Sequence, residues 1–135
     1  MNTPRSVVEA WATAYNARDA VAQGRLYAED ATNFQRALGQ KVVGRVSIQD
    51  GLAKFFGAFP DSSIQTEALL EVGAKVAWFW VTRGTWTGVF AGLQPTGKSY
   101  TLSGSTLFEI RDGIIVQQDA YWDRATWFTQ LGIPL

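Results

Sequence analysis

Two aspartates four residues apart, in the segment Gln117-Gln118-Asp119-Ala120-Tyr121-Trp122-Asp123, are the side chains of this sequence best placed to move a proton. The chain has no histidine and no cysteine. Imidazole bases, thiolate nucleophiles, histidine metal ligands and disulfides are therefore excluded, and proton transfer falls to Asp, Glu, Tyr, Lys or water. The carboxylates are not grouped at metal-ligand spacing, so no metal is expected. Asp123 has two readings. It can be a general base whose pKa is raised by surrounding aromatics. It can also cap a following helix, and helix amides would then hold it ionised. Asp119 can be a second acid, can pair with an arginine, or can be turned outward by a bulge. Four residues of strand span roughly 13 Å, so the two acids are not expected to share a proton directly.

The element that must position both acids is a hairpin over 102–123. Asp112-Gly113 is a strong type I′ turn signal, because both central residues of that turn need positive φ. A two-residue turn pairs Arg111 with Ile114, Ile110 with Ile115, Phe108 with Gln117, Thr106 with Asp119, Gly104 with Tyr121 and Leu102 with Asp123. One face then holds Leu102, Thr106, Phe108, Ile110, Ile115 and Tyr121 together with Asp119 and Asp123. An apolar face carrying two acids is a conflict between pattern and chemistry, and such conflicts mark functional sites.

Earlier elements follow in order. Thr3-Pro4 starts a helix with an apolar stripe of Val7, Val8, Trp11, Ala14 and Tyr15. Asp19 caps a short helix running to residue 27. Residues 30–34 read as a strand, 35–44 as a loop in which 41–43 can pair briefly. A helix from Ser47 buries Ile48, Leu52, Phe55, Phe56 and Phe59 and stops at Phe59-Pro60-Asp61. Strands follow over 64–72, 75–84 and 85–90, then a turn-rich loop over 92–97. Trp78, Phe79 and Trp80 in succession put large aromatics on both faces of one strand, so both faces are expected to be covered. Residues 124–131 close as a short helix ended by Gly132 and Pro134. Helices first and antiparallel strands afterwards make an α+β pattern, in which a bent sheet wraps a helix into a cone with a cavity.

At 135 residues, 47% hydrophobic and 18% charged with zero formal net charge, the chain suits one domain over 1–135. The neutral balance offers no footprint for nucleic acid or an anionic membrane. No apolar run approaches a membrane span, and the first ten residues lack a signal-peptide core, so a cytoplasmic protein is expected.

Phe59-Pro60-Asp61, the run GTWTGVFAGLQPTGK over 84–98, the DGIIV turn and strand, and YWD followed by QLG over 121–132 resemble the SnoaL-like polyketide cyclases of the nuclear-transport-factor-2-like (NTF2-like) superfamily. The resemblance spans the chain from the first helix to the C-terminus. It implies a curved antiparallel or mixed sheet packed on N-terminal helices around an internal apolar cavity. It implies a small hydrophobic, polyketide-like substrate, intramolecular aldol closure without cofactor or metal, and a homodimer. Asp123 matches the family's general acid/base, Trp11 a pocket-lining tryptophan and Asn33 a contributing asparagine. Tyr15, Phe56, Trp78, Trp86, Phe108 and Tyr121 complete the expected substrate contacts, with Tyr15 and Tyr121 as donors to an enolate oxygen. The tryptophans also have a plain reading as core. Histidines of many relatives are replaced here by Phe34 or Gln35 and by Trp86, and acids before YWD by Gln117 and Gln118. Those exchanges leave cyclase, isomerase, epoxide hydrolase and ligand-binding or dimerisation module open on one fold.

Overall fold

In the computed structural model, which describes residues 2–135, helix α1 (Pro4–Asn16) starts where Thr3-Pro4 places it. Thr3 Oγ1 accepts a 3.1 Å bond from the Ser6 amide, and the stripe from Val7 to Tyr15 is buried. Asp19 caps α2 (Ala20–Gly24) by accepting from the Ala22 amide at 3.0 Å. This helix is shorter than expected. Tyr27 already belongs to strand β1 (Tyr27–Gln35), fully buried in the core. A turn of tighter helix over Arg36–Leu38 leads into β2 (Gln40–Val43), the brief pairing segment. Helix α3 (Arg45–Ala58) begins two residues before Ser47, because Gly44 at φ 97° occupies the capping position. Strands β3 (Ser63–Val72), β4 (Lys75–Thr85), β5 (Ser99–Arg111) and β6 (Ile114–Trp122) follow, then helix α4 (Arg124–Leu131).

The six strands form one curved sheet in the order β2-β1-β6-β5-β4-β3. Only β1 and β6 run parallel, so the sheet is mixed. Helices α1 and α3 lie in its concavity and α4 contacts β5. Within this chain the convex face is left uncovered at Leu70, Val72, Phe79 and Tyr121, all exposed.

Two expectations are corrected. The strand read over 85–90 ends at Thr85. The Thr87 and Gly88 amides instead donate to the Ala58 carbonyl at 3.0 and 3.1 Å, which clamps the following loop to the end of α3. Gly88 lies against the Gly57 carbonyl too closely for any side chain. The hairpin register is the second correction. Asp112 and Gly113 have φ of 53° and 75°, and the first two pairs are Arg111–Ile114 and Ile110–Ile115 as expected. The next pair is Glu109–Gln117, leaving Val116 as an extra residue. This bulge moves every later pair by one, giving Phe108–Gln118, Thr106–Ala120 and Gly104–Trp122. The inward set of β6 is therefore Gln118, Ala120 and Trp122, and the outward set is Gln117, Asp119 and Tyr121.

Candidate active site at the mouth of the cone

The deep end of the cone is a closed aromatic core. Trp11 stacks on Tyr15 with centroids 5.6 Å apart and meets Trp78 edge-on at 5.5 Å. Phe108 closes on both Trp11 and Trp78 at 6.2 Å. The polar atoms here find partners inside the core. Trp11 Nε1 donates to Tyr27 Oη at 2.8 Å, and Tyr27 Oη donates to Gln118 Oε1. Trp78 Nε1 reaches Thr66 Oγ1 and Trp80 Nε1 reaches Thr106 Oγ1, both at 2.9 Å. Burial pushes the Tyr27 hydroxyl far above its ordinary value, so it stays a neutral donor. Trp11, Trp78 and Phe108 thus pack and satisfy one another, as core aromatics do.

Nearer the open end, α1 and β4 bring Tyr15 and Thr82 together, their hydroxyls 2.8 Å apart. Thr82 gives its proton to the Ser63 carbonyl at 2.9 Å, so Tyr15 must donate to Thr82. Ser62 and Tyr100 are buried beside this pair, and neither hydroxyl has a partner in hydrogen-bonding geometry. Burial raises Tyr15, with Thr82 pulling the other way, and raises Tyr100 beyond the titration range of exposed phenols. Phe56 is buried with its ring 5.3 Å from that of Tyr15.

The mouth is built where β1 and β6 end together. Asn33 and Gln35 point inward from β1; Gln35 Nε2 donates to Asn33 Oδ1 at 2.8 Å and its Oε1 accepts from Trp122 Nε1 at 2.9 Å. Asp123 ends the strand and caps α4. Its carboxylate accepts from the Thr126 amide at 2.9 Å and the Thr126 hydroxyl at 2.5 Å. The flanking Trp122 and Trp127 then close over the cap, rings 5.2 Å apart at 83°, in the pattern of a hydrophobic staple. Trp127 is surrounded by Phe59, Phe90, Tyr100 and Trp122, with centroids between 5.2 and 5.7 Å. Trp86 is also buried, 6.5 Å from Phe59, with its indole N–H donated to the Gly88 carbonyl at 2.7 Å. It therefore braces the loop that carries Phe90.

Three site expectations change. Asp123 is exposed, and the Thr126 hydroxyl and amide hold its carboxyl below its ordinary value; an elevated pKa from aromatic burial is not found. Asp119 lies on the convex face, because the bulge at Val116 turned it outward. It is 5% exposed, bound by Arg36 Nη2 at 2.8 Å and Nε at 3.1 Å and by Gln117 Nε2 at 2.8 Å. Arg36 in turn lies 3.9 Å over the Phe34 ring. Tyr121 is outward for the same reason and 45% exposed, so it does not face the interior. The cone's interior is crowded with rings, while an open depression of about 260 Å³ lies elsewhere, lined by Asp61, Ser63, Arg83, Gly84, Thr85, Ser99, Tyr100 and Thr101.

Sequence reasoning missed the inward direction of Gln118 and Trp122, and it missed Gln35 as their neighbour, the Ser62–Thr82–Tyr100 hydroxyls and Trp127. A tryptophan on each side of a capping aspartate, at the staple spacing, was a usable signal for Trp122 and Trp127. The hydroxyl group had none, since its members come from three separate elements.

A six-stranded curved sheet folded around α1 and α3, with a polar-rimmed aromatic mouth, defines an NTF2-like α+β protein. The chain belongs to the SnoaL-like polyketide cyclase family, whose model matches residues 5–131. No curated protein matches it. Among solved structures it is similar to IdmH of Streptomyces antibioticus, a candidate polyketide cyclase, at 26% identity and TM-score 0.78, covering 97% of this chain and 99% of that one. It is similar in fold to a protein of ketosteroid-isomerase-like fold from Catenulispora acidiphila DSM 44928 bound to trimethylamine, at 23% identity and TM-score 0.84, covering 98% and 96%. A candidate SnoaL-like cyclase from Jannaschia sp. CCS1 superimposes with TM-score 0.86 at 19% identity, covering 98% and 93%. No helix of the described residues is long and apolar enough to cross a membrane.

Proposed function

We propose that this protein is a cofactor-independent cyclase that enolises a hydrophobic carbonyl compound and closes it on itself, with Asp123 as general acid/base. The observation that carries this is the position of an ionised carboxylate on the rim of an aromatic mouth, on the same helical turn as Trp127. Asp123 takes a proton from the carbon α to a carbonyl, and the C–H electron pair moves onto the carbonyl oxygen. The enolate carbon then bonds to a second carbonyl of the same molecule, and the resulting alkoxide recovers the proton from Asp123. The sequence is redox-neutral, so it calls for no external electron carrier. A positioned general base contributes about 10²–10⁴-fold.

The low pKa of Asp123 narrows the substrate class. A weakly basic carboxylate removes protons efficiently only from an acidic carbon, such as a methylene between two carbonyls. A β-dicarbonyl chain provides that carbon, and an apolar body on it suits the surrounding rings. Incorporation of deuterium from heavy water into a β-keto ester, followed by NMR, tests the reading. Wild-type protein accelerates exchange and Asp123→Asn does not; equal exchange by both would remove Asp123 from the chemistry. The engagement of Asp123 Oδ2 as a cap favours one rival, a module that binds the ligand without turning it over, and binding with no exchange would select it.

We also propose a homodimer through the convex face. Phe79 and Tyr121 lie on one row of that face, joined through Ser105, while Arg111 neutralises Glu109 and Arg36 neutralises Asp119. A face that is apolar and internally charge-balanced can meet its own copy without burying unpaired charge.

A further inference from the structure

Six tryptophans are present, and five of their indole N–H groups have an oxygen partner: Trp11 on Tyr27, Trp78 on Thr66, Trp80 on Thr106, Trp86 on Gly88 and Trp122 on Gln35. Trp127 is 4% exposed and its Nε1 has no partner. A buried indole N–H without an acceptor is unfavourable and uncommon, and it calls for an explanation by site. The groups packed around it are the rings of Phe59, Phe90, Tyr100, Trp122 and Phe128. Of these only Tyr100 carries an oxygen, and its hydroxyl is itself unpartnered. Apart from that hydroxyl, the surrounding rings offer a bridging water no oxygen. An acceptor oxygen attached to an apolar body suits both the N–H and the rings.

We infer that the Trp127 indole N–H is the group that receives the carbonyl oxygen of the substrate. The inference deepens the proposed function and rests on the mouth being the substrate site. Trp127 follows Asp123 by four residues, and its amide bonds to the Asp123 carbonyl at 3.2 Å. One helical turn thus carries the base for the α-proton and the donor for the oxygen that becomes negative when the proton leaves. A donor aimed at that oxygen in a dry site stabilises the enolate more than the ketone. The staple against Trp122, itself held by Gln35, fixes the indole in place. Room for the substrate comes from Phe90, half-buried on a two-residue turn in which Ala91 and Gly92 have φ of 51° and 77° and Phe90 pairs with Leu93. It can leave Trp127 without breaking any named strand.

The test compares two ligands of one shape, β-tetralone and the hydrocarbon tetralin, on wild type and Trp127→Phe by calorimetry. The substitution keeps a ring and deletes the N–H. It is expected to weaken β-tetralone roughly tenfold and to leave tetralin within about twofold. Unchanged affinity for both, or parallel loss of both, overturns the inference. Should the variant fail to fold, the indole ¹⁵N–¹H signals of the wild type decide. The Trp127 signal, assigned through its contacts with Phe90 and Tyr100, moves downfield with β-tetralone and not with tetralin; no movement overturns the inference. Deuterium exchange into the β-keto ester separates the two proposals. Selective loss of the ketone without any wild-type exchange supports Trp127 and removes the base. Wild-type exchange with unaltered affinity in the variant does the reverse.

Discussion

Asp119 faces Leu107 across the β5–β6 ladder, on the convex side of the sheet, and its neighbour Gln118 faces Phe108 in the core. One extra residue, Val116, sets that relationship. It puts Ala120 opposite Thr106, where an unpaired Asp119 carboxylate would otherwise be buried, and Gln118 opposite Phe108, where its amide oxygen accepts from Tyr27. The carboxylate goes instead to Arg36.

Asp119→Asn is therefore expected to destabilise the protein by about 1–3 kcal/mol, because Arg36 loses its charged acceptor at a buried position. Urea denaturation measures the loss. Deuterium exchange per folded molecule stays as in wild type; a drop in exchange without a drop in stability would return Asp119 to the chemistry.

Asp123 has a structural duty that its variants can separate from catalysis. Asparagine keeps a capping oxygen and alanine removes it, so Asp123→Ala lowers the melting temperature more than Asp123→Asn, while both lose exchange. The cap also fixes the pH sense. A carboxyl held below its ordinary value in the folded state stabilises above the unfolded pKa, and that contribution fades as pH falls through the folded value. Exchange should hold on the acid side well below neutrality; a rise in activity toward alkaline pH would point to another base.

At high pH the buried tyrosines dominate. Tyr15, Tyr27 and Tyr100 all have raised pKa values, so the unfolded chain releases those protons first. Stability is then expected to fall once the pH passes about 10, the ordinary phenol value. Ultraviolet phenolate absorbance from these three should appear together with loss of circular dichroism. Phenolate absorbance from all four tyrosines with the fold intact would contradict their burial.

Gly104 lies under Trp80. A Cβ there would stand 2.5 Å from the indole Cη2 and 2.6 Å from Cζ2. Gly104→Ala should cost about 1–3 kcal/mol and disturb the Trp80 to Thr106 hydrogen bond, visible in tryptophan emission. An unchanged melting temperature would show that the sheet yields more easily than its packing implies.

For assembly, Phe79→Glu puts a charge at the centre of the convex row that joins Phe79 to Tyr121. Sedimentation should show a dimer for wild type and a monomer for the variant. A monomeric wild type would leave that face for a different partner.

Much of the fold is legible where a single residue's chemistry decides the local backbone. Thr3-Pro4, Asp19 and Asp123 start helices, Gly132 at φ 78° ends one, and Asp112-Gly113 makes the hairpin turn. The family resemblance draws on the same local motifs. Less is legible where distant groups compete. The strand pattern of 85–90 gives way to the Ala58 carbonyl, which takes two amides from that segment. Tyr27 is claimed by a strand because Trp11 and Gln118 offer its hydroxyl partners that the preceding helix lacks.

The sequence by itself determined the α+β order, the caps and turns, the absence of imidazole and thiol chemistry, and the nomination of Asp123. Tertiary structure alone decided which way β6 faces, and with it that Asp119 and Tyr121 look outward while Gln118 and Trp122 look in. It also decided that Asp123 is ionised at the rim and that Trp127 has an unanswered N–H. The reason is physical. Turns and caps are settled within a few residues, whereas a bulge and a buried hydrogen bond are settled by whichever partner the rest of the fold brings within reach.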